Sequence, residues 1–280
     1  MTEPLRLLAV LAHPDDETLG VGGSLAKYGS EGVETHVVTA TRGERGRYGD
    51  GSTHPGEEEL GRIREAEQRA AAEVLGVGDV RFLDYLDADL DKADPAEAVA
   101  RIVTHVRRVR PQVVLTFAQD GAYGHPDHIG VCQFTTAALV AAADGAYEPA
   151  ELVGDYDDGG ADAHDPWSTP KLYYMAWGQA HWDAYQAAFK KLVSKVDGVE
   201  RQVQPWPEWM LTTHVDAREH WETVWSAVQC HQSQIRIYAA LGELGEEHQH
   251  ALWGLQEFYR VYSLVNGGRA RETDLFEGLR

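Results

Sequence analysis

Two short segments of the chain concentrate residues able to ligate a metal, Ala12-His13-Pro14-Asp15-Asp16-Glu17 and Gly124-His125-Pro126-Asp127-His128. An imidazole nitrogen and a carboxylate oxygen within one turn, as at His13 and Asp16, suit zinc, and Asp15 stands beside them as an extra carboxylate. A catalytic zinc takes three protein ligands and keeps an open position for water, whose pKa it lowers to about 7. The second segment is the only comparably dense source of a third ligand, and the set His13, Asp16 and His128 would leave Asp15 free as general base. His125 would then stabilise or protonate the tetrahedral species, and Asp127 would fix the tautomer of an imidazole. The alternative is that Asp15 and Asp16 cap the next helix and the two later histidines are ordinary loop residues. That reading serves either segment alone, but not two His-Pro-Asp segments that each follow an apolar run. Cys132 reads as a small buried thiol rather than a further ligand.

The elements that carry these segments follow from the same runs. Leu7-Leu8-Ala9-Val10-Leu11 precedes the first, and Val113-Val114-Leu115-Thr116-Phe117 precedes the second. Continuous apolar runs suit strands covered on both faces, and Pro14 keeps His13 out of the helical region, so the first strand stops there. In open α/β sheets, ligands bind outside the carboxyl ends of the strands, where both histidine segments would then lie. Strands are expected at 33–41 and 80–85, and helices at 57–75, closed by Gly76, and at 95–110, bounded by Pro95 and Pro111. Residues 18–29 read as a helix packed closely on the sheet. Its Gly20-Val21-Gly22-Gly23 lacks the third glycine of the dinucleotide fingerprint and falls inside the helix rather than in the turn before it. Strand and helix alternating four times predict an α/β fold with a doubly wound, mostly parallel sheet.

Beyond this core the pattern predicts a helix at 129–143, a loop or lid at 144–169, a strand at 171–177, a helix at 182–196, a strand at 210–215 and a helix at 217–229. The eight tryptophans all fall between Trp167 and Trp253 and read as core. The expected organisation is one domain, with a metal-binding catalytic core over 1–145 and a lid loop and C-terminal elaboration over 146–280.

Composition narrows the class of partner. With 25 basic and 45 acidic residues the formal charge is −20, which repels nucleic acid and anionic membrane surfaces. No apolar run reaches 18 residues, and the first eleven residues lack a basic segment followed by a cleavage site. Two cysteines, Cys132 and Cys230, fit a reducing compartment, so the expected location is the cytoplasm.

Taken together, the two histidine segments resemble the signatures of the PIG-L/LmbE-like zinc-dependent N-acetylglucosaminyl deacetylases over most of residues 5–145. Cys230-His231-Gln232-Ser233-Gln234 resembles that family's His-x-Ser-Gln segment. The resemblance implies a Rossmann-like sheet and a zinc ion, with ferrous iron as the alternative, held by His13, Asp16 and His128. It further implies Asp15 as general base and His125 as the group that handles the oxyanion or the leaving amine. Tyr123 resembles the tyrosine with which mycothiol-pathway deacetylases polarise the amide carbonyl. Arg64 and Asp87 become candidate substrate contacts, and Arg47, in the charged loop 42–51, offers a further cation at the mouth. The implied activity is removal of an acyl group, in the first instance acetyl, from an N-acetylglucosamine-type conjugate. A mycothiol-conjugate amidase and a non-catalytic, metal-stabilised sugar-binding protein are the alternatives. The spare Asp15 favours a catalyst, because a structural site closes with a fourth ligand. The expected partner is a small amino-sugar conjugate, with self-association into a homo-oligomer left open.

Overall fold

The computed structural model describes residues 4–51, 53–149, 165–189, 193–196, 199–202 and 204–280. Its first strand, β1 (Arg6–Leu11), is buried from Leu7 onward. Two short helices follow, α1 (Asp16–Leu19) and α2 (Gly22–Ser30), then β2 (Glu34–Thr41), α3 (Glu57–Leu75), β3 (Asp79–Tyr85), α4 (Pro95–Val109) and β4 (Val113–Thr116). Helix boundaries have local causes. Gly76 ends α3 at φ 74°, in the left-handed region where glycine is at no disadvantage. Asp94 caps α4 by accepting from the N–H groups of Ala96 and Glu97, with Pro95 in the first turn.

The chain continues through the turn α5 (Gly121–Gly124), α6 (Pro126–Ala143), β5 (Lys171–Met175), α7 (Gln179–Phe189) and a hairpin of β6 (Val193–Val196) and β7 (Val199–Gln202). It closes with β8 (Thr213–Asp216), α8 (Trp221–Val228), α9 (Ile235–Gly242), α10 (Glu246–Gln249) and β9 (Leu255–Ser263). The main sheet has the order β3-β2-β1-β4-β5-β9-β8. Its first five strands are parallel, whereas β9 runs antiparallel to both neighbours. Successive connections leave β1 in opposite directions, to β2 on one side and, after β3, to β4 on the other. The switch point therefore lies between β1 and β4, where the crevice of a doubly wound sheet opens. Both histidine segments emerge there.

Several expected elements differ. The helix at 18–29 is divided into α1 and α2, although its glycines do permit close packing. A Cβ on Gly20 would stand 2.7 Å from the Met175 sulfur, and one on Gly23 would collide with the Trp253 carbonyl. Of the helix expected at 182–196, residues up to Phe189 are helical as part of α7, 190–192 lie outside the described residues, and Val193–Val196 is instead strand β6, paired antiparallel with β7. The helix expected at 217–229 begins properly at Trp221, after a 3-10 turn over Arg218–His220. Helix α9 and strand β9 lie where the sequence pattern predicts no element. Of the expected lid at 144–169, residues 150–164 lie outside the described residues. Its described ends sit at the amino edge of the parallel strands, where Trp167 donates from its backbone N–H to the Ala142 carbonyl and from Nε1 to the Pro111 carbonyl, each at 2.8 Å. Those ends are on the opposite edge from the histidines.

The tryptophans divide between surroundings. Trp253 is fully buried, whereas Trp209 is 81% exposed and Trp177 lines a cavity. Where β5, β8 and β9 meet the C-terminal segment, Glu272 is almost fully buried. It accepts from Lys171 Nζ at 2.7 Å, the Tyr173 hydroxyl at 2.7 Å, the Thr213 hydroxyl at 2.9 Å and Asn266 Nδ2 at 2.6 Å. Among the described residues no helix is long and apolar enough to cross a membrane.

Candidate active site

The end of β1 turns sharply, and Asp16 closes the turn on its own backbone. Its Oδ2 accepts from the N–H groups of Ala12 at 3.1 Å and His13 at 2.8 Å. His13 Nε2 lies 3.1 Å from Asp127 Oδ2 and 3.2 Å from Asp87 Oδ1. Carboxylates accept, so Nε2 carries a proton and Nδ1 faces inward. His128 is fixed in the opposite sense, because its Nδ1 donates to the Gly121 carbonyl at 3.2 Å and its Nε2 faces inward. The two inward nitrogens are 3.2 Å apart. Asp16 oxygens lie 3.7 Å from His13 Nδ1 and 3.6 Å from His128 Nε2.

These separations bear on whether the residues fit a metal. Bonds of about 2.0–2.1 Å in a tetrahedral site put neighbouring donor atoms about 3.3 Å apart. The two imidazole nitrogens, 3.2 Å apart, match that spacing, and the Asp16 carboxylate approaches them through different oxygens, Oδ2 at 3.7 Å from His13 and Oδ1 at 3.6 Å from His128, with the outer nitrogen of each imidazole already tied to a protein acceptor. The local charge points the same way. Burial would lower the His13 pKa, but Asp127, Asp87 and Asp16 outweigh it and push it up to about 10. Burial pushes the Asp16 carboxyl up to about 7, with His13 opposing and Asp15 and Glu17 adding. A carboxylate raised in this way, beside an imidazole that holds its proton this strongly, marks a place short of cations. The residues fit a divalent ion.

Asp15 occupies a strained position, at φ 110° for a residue with a side chain, which typically costs about 1–3 kcal/mol and persists only where neighbours impose it. Here Glu17 imposes it. Its Oε2 accepts from the Asp15 N–H at 2.9 Å and from Gln68 Nε2 at 3.0 Å, while Oε1 accepts from His231 Nε2 at 2.8 Å. The Asp15 side chain is also held, with Oδ2 accepting from Arg64 Nη2 at 2.9 Å and the Tyr238 hydroxyl at 2.5 Å. Oδ1 accepts no hydrogen bond among the described residues. Burial works against charge on His231, but Glu17 outweighs it and its pKa is raised. The segment around His231 is likewise docked: Ser233 donates twice to Glu67, each at 2.6 Å, and Gln234 Nε2 donates to the Arg47 carbonyl at 2.5 Å.

His125 caps α6 by accepting from the Asp127 N–H at its Nδ1, 3.2 Å away. The neutral ring therefore carries its proton on Nε2. Burial, then the charge of His13, pushes its pKa down to about 4, which keeps it a neutral donor near pH 7. Tyr123 stands edge-on to His125 and His128, with ring centroids 5.9 and 5.2 Å away. It sits in the kinked turn α5, where Ala122 adopts φ 61°.

A cavity of about 560 Å³ opens over these groups. It is lined by His13, Asp15, Asp16, Tyr123, His125 and His128, and also by Arg47, Arg64, Asp87, Gln234 and Tyr238. Two expected substrate contacts take a different posture. Arg64 is buried and donates to the carbonyls of Gly43 and Pro14 as well as to Asp15, so its inward face braces the Asp15 turn. Asp87 is turned onto His13 and accepts from the Arg45 N–H at 3.1 Å. Arg47 is exposed at the mouth, and among the described residues its guanidinium has no hydrogen bond or ion pair. Glu17 received no role from the sequence although it lies within the first segment. Tyr238 left no local signal, since its partner is 223 residues away.

Residues 8–139 match the family described as PIG-L: GlcNAc-PI de-N-acetylase. The chain is 35% identical, over all of its length and 99% of the relative's, to the 1D-myo-inositol 2-acetamido-2-deoxy-alpha-D-glucopyranoside deacetylase of Geodermatophilus obscurus. It is 33% identical, over all of its length and 99% of the relative's, to the mycothiol S-conjugate amidase of Streptomyces coelicolor. Among solved structures, the N,N'-diacetylchitobiose deacetylase of Pyrococcus horikoshii matches with a TM-score of 0.64 at 19% identity, over 91% of this chain and 83% of that one. The 4-carboxy-2-hydroxymuconate hydratase of Pseudomonas putida matches at 0.66 and 22%, over 95% and 100%. The two structures speak for the fold, since one fold hosts different chemistries. Fold and relatives together define an amide-bond hydrolase. The chain belongs to the PIG-L family.

Proposed function

We propose that the chain is a zinc-dependent deacylase that removes an acetyl group from the amine of an N-acetylglucosamine conjugate. One observation carries this reading: His13 Nδ1, His128 Nε2 and the Asp16 carboxylate oxygens stand 3.2–3.7 Å apart pair by pair, beside the Asp15 carboxylate, whose Oδ1 accepts no hydrogen bond among the described residues. His13, Asp16 and His128 would hold the ion, which supplies Lewis-acid polarisation and a more acidic water when bound. Zinc suits a set of two nitrogens and one oxygen, with ferrous iron the second choice.

Asp15 Oδ1 takes a proton from the attacking water as its oxygen bonds to the amide carbon. His125, with its proton on Nε2, donates to the oxygen on which charge develops, and the Tyr123 hydroxyl is the second donor available to it. Asp127 and Asp87 keep His13 in the tautomer that presents Nδ1. When the carbon–nitrogen bond breaks, the proton held by Asp15 passes to the leaving amine. Arg47 is the cation available at the mouth to a hydroxylated or anionic aglycone. The free thiols, with Cys132 buried and Cys230 partly so, suit a reducing cytoplasm.

The test is amine release from N-acetylglucosaminyl-inositol by metal-stripped protein with zinc restored. Zinc-dependent release supports the reading, and none at any zinc level refutes it. A mycothiol S-conjugate in the same assay separates the amidase alternative. Cleavage of that conjugate alone would replace the acetyl assignment with a cysteinyl amide.

A further inference from the structure

The cavity has a second wall to which none of the catalytic roles extends. It is formed by Leu19 of α1, Trp177 at the end of β5, Tyr185 and Phe189 of α7, and Ile237 of α9. Tyr185 and Phe189, four residues apart, share one face of α7, and Trp177 lies just ahead of that helix. Their rings form a ladder, Trp177 to Tyr185 at 5.0 Å between centroids and Tyr185 to Phe189 at 6.0 Å, both stacked at 21°. Tyr185 and Phe189 of α7, with Trp177 beside them, therefore turn aromatic rings toward the cavity. Leu19, Trp177, Phe189 and Ile237 are only partly buried, so they offer apolar surface to a ligand.

We infer that this wall is a subsite for an apolar substituent of the substrate, aliphatic or aromatic, next to the scissile amide. The inference rests on the deacylase reading for what lies beside it and adds the chemistry of the neighbouring group. A volume of about 560 Å³ falls in the range that encloses a drug-sized ligand, more than an acetamido sugar alone requires. The wall also offers few polar atoms: among its five side chains only the Tyr185 hydroxyl and the Trp177 indole N–H can hydrogen-bond. A polyhydroxylated ring could cover this wall only with its C–H face, its hydroxyls staying in water or on polar groups, whereas an alkyl or aryl group gains by leaving water over its whole surface. The apolar group could hang from the acyl carbon or from the far side of the amino sugar. Both share one chemistry, and the substrate panels below separate them.

The experiment begins with binding to zinc-loaded protein, so that it does not depend on turnover. Alkyl glucosides from methyl to hexyl, below micelle formation, are titrated by calorimetry against the unaltered protein and the variants Phe189→Ala and Ile237→Ser. The expected Kd falls about fourfold per added methylene over the first few carbons, the factor equivalent to about 0.8 kcal/mol per buried CH₂, and each variant flattens the slope. A Kd indifferent to chain length, or a slope unchanged in both variants, overturns the subsite. Turnover is then measured for glucosaminyl-inositol acylated with acetyl, butyryl or hexanoyl groups, and for alkyl glycosides of N-acetylglucosamine. A rise in kcat/KM with length in the first panel assigns the wall to the acyl chain, and a rise in the second assigns it to the aglycone. Flat or falling values in both panels overturn it. A steep Kd slope with no turnover of any amide supports the subsite and refutes the deacylase reading.

Discussion

The Tyr238 hydroxyl donates to Asp15 Oδ2 at 2.5 Å, joining a helix of the C-terminal half to the turn that ends the first strand. Arg64 Nη2 reaches the same oxygen at 2.9 Å. Both bonds restrain one edge of the carboxylate, so the other edge is aimed by residues that take no proton themselves. Tyr238 is on this account a positioning residue.

Tyr238→Phe keeps the ring and removes the donor. A hydrogen bond to a charged group is worth about 1.5–3 kcal/mol, so kcat should fall by about tenfold to a hundredfold. KM and bound zinc should stay near the original values. Steady-state kinetics with metal analysis of the same sample check this, and a loss of zinc in parallel with activity would reduce Tyr238 to a general structural role.

Asp87 separates two assignments cleanly. As a partner of His13 Nε2, 3.2 Å away, it supports a metal ligand, and loss of such a partner typically weakens metal binding by about 10- to 100-fold. Asp87→Asn should show that weakening in a chelator competition, with KM little changed once zinc is saturating. A raised KM with unaltered zinc affinity would restore Asp87 as a substrate contact.

That residue also marks how far the sequence reached. The segments at His13 and His128 were legible because each is local, an apolar run followed at once by ligand-type residues, and the parallel order of their strands follows from alternation. Asp87 and Arg64 were visible as charged residues in suitable places, but spacing cannot tell whether such a side chain points to a ligand or back into the protein. Tyr238 and Glu17 were illegible for a related reason: the bonds that give them meaning join the turn after β1 to α9, and α1 to His231, over 223 and 214 residues. Strand β9 pairs antiparallel with segments far from it in sequence, and its half-buried residues lack the continuous apolar run that identified β1. The tryptophans, read uniformly as core, range from the buried Trp253 to the exposed Trp209, because residue type fixes an average burial and not a position.

Glu272 makes the clearest stability prediction. Burial would raise its pKa, but hydrogen bonds from Asn266, Lys171, Tyr173 and Thr213 outweigh it and hold it at about 2, below the ordinary glutamate value of 4.5. A depressed carboxylate stabilises the fold above the unfolded-state pKa and loses that contribution as pH falls toward the folded-state value. Glu272→Gln leaves Lys171, which is fully buried, without its carboxylate, and breaking a buried pair typically costs about 3–5 kcal/mol. Denaturant melts at pH 7 should show a loss of that order, with the gap from the unaltered protein narrowing as pH falls below about 4.5. A gap independent of pH would remove ionised Glu272 from the explanation.

The most direct measurement of the central claim is zinc content, by plasma mass spectrometry, in purified His13→Ala, His128→Ala and Asp15→Asn proteins equilibrated with one equivalent of zinc. The account predicts that both histidine variants lose the ion while Asp15→Asn retains it, and that Asp15→Asn nonetheless loses about 10²- to 10⁴-fold in turnover, the usual cost of removing a general base. Full zinc occupancy in both histidine variants, or undiminished turnover in Asp15→Asn, would contradict it.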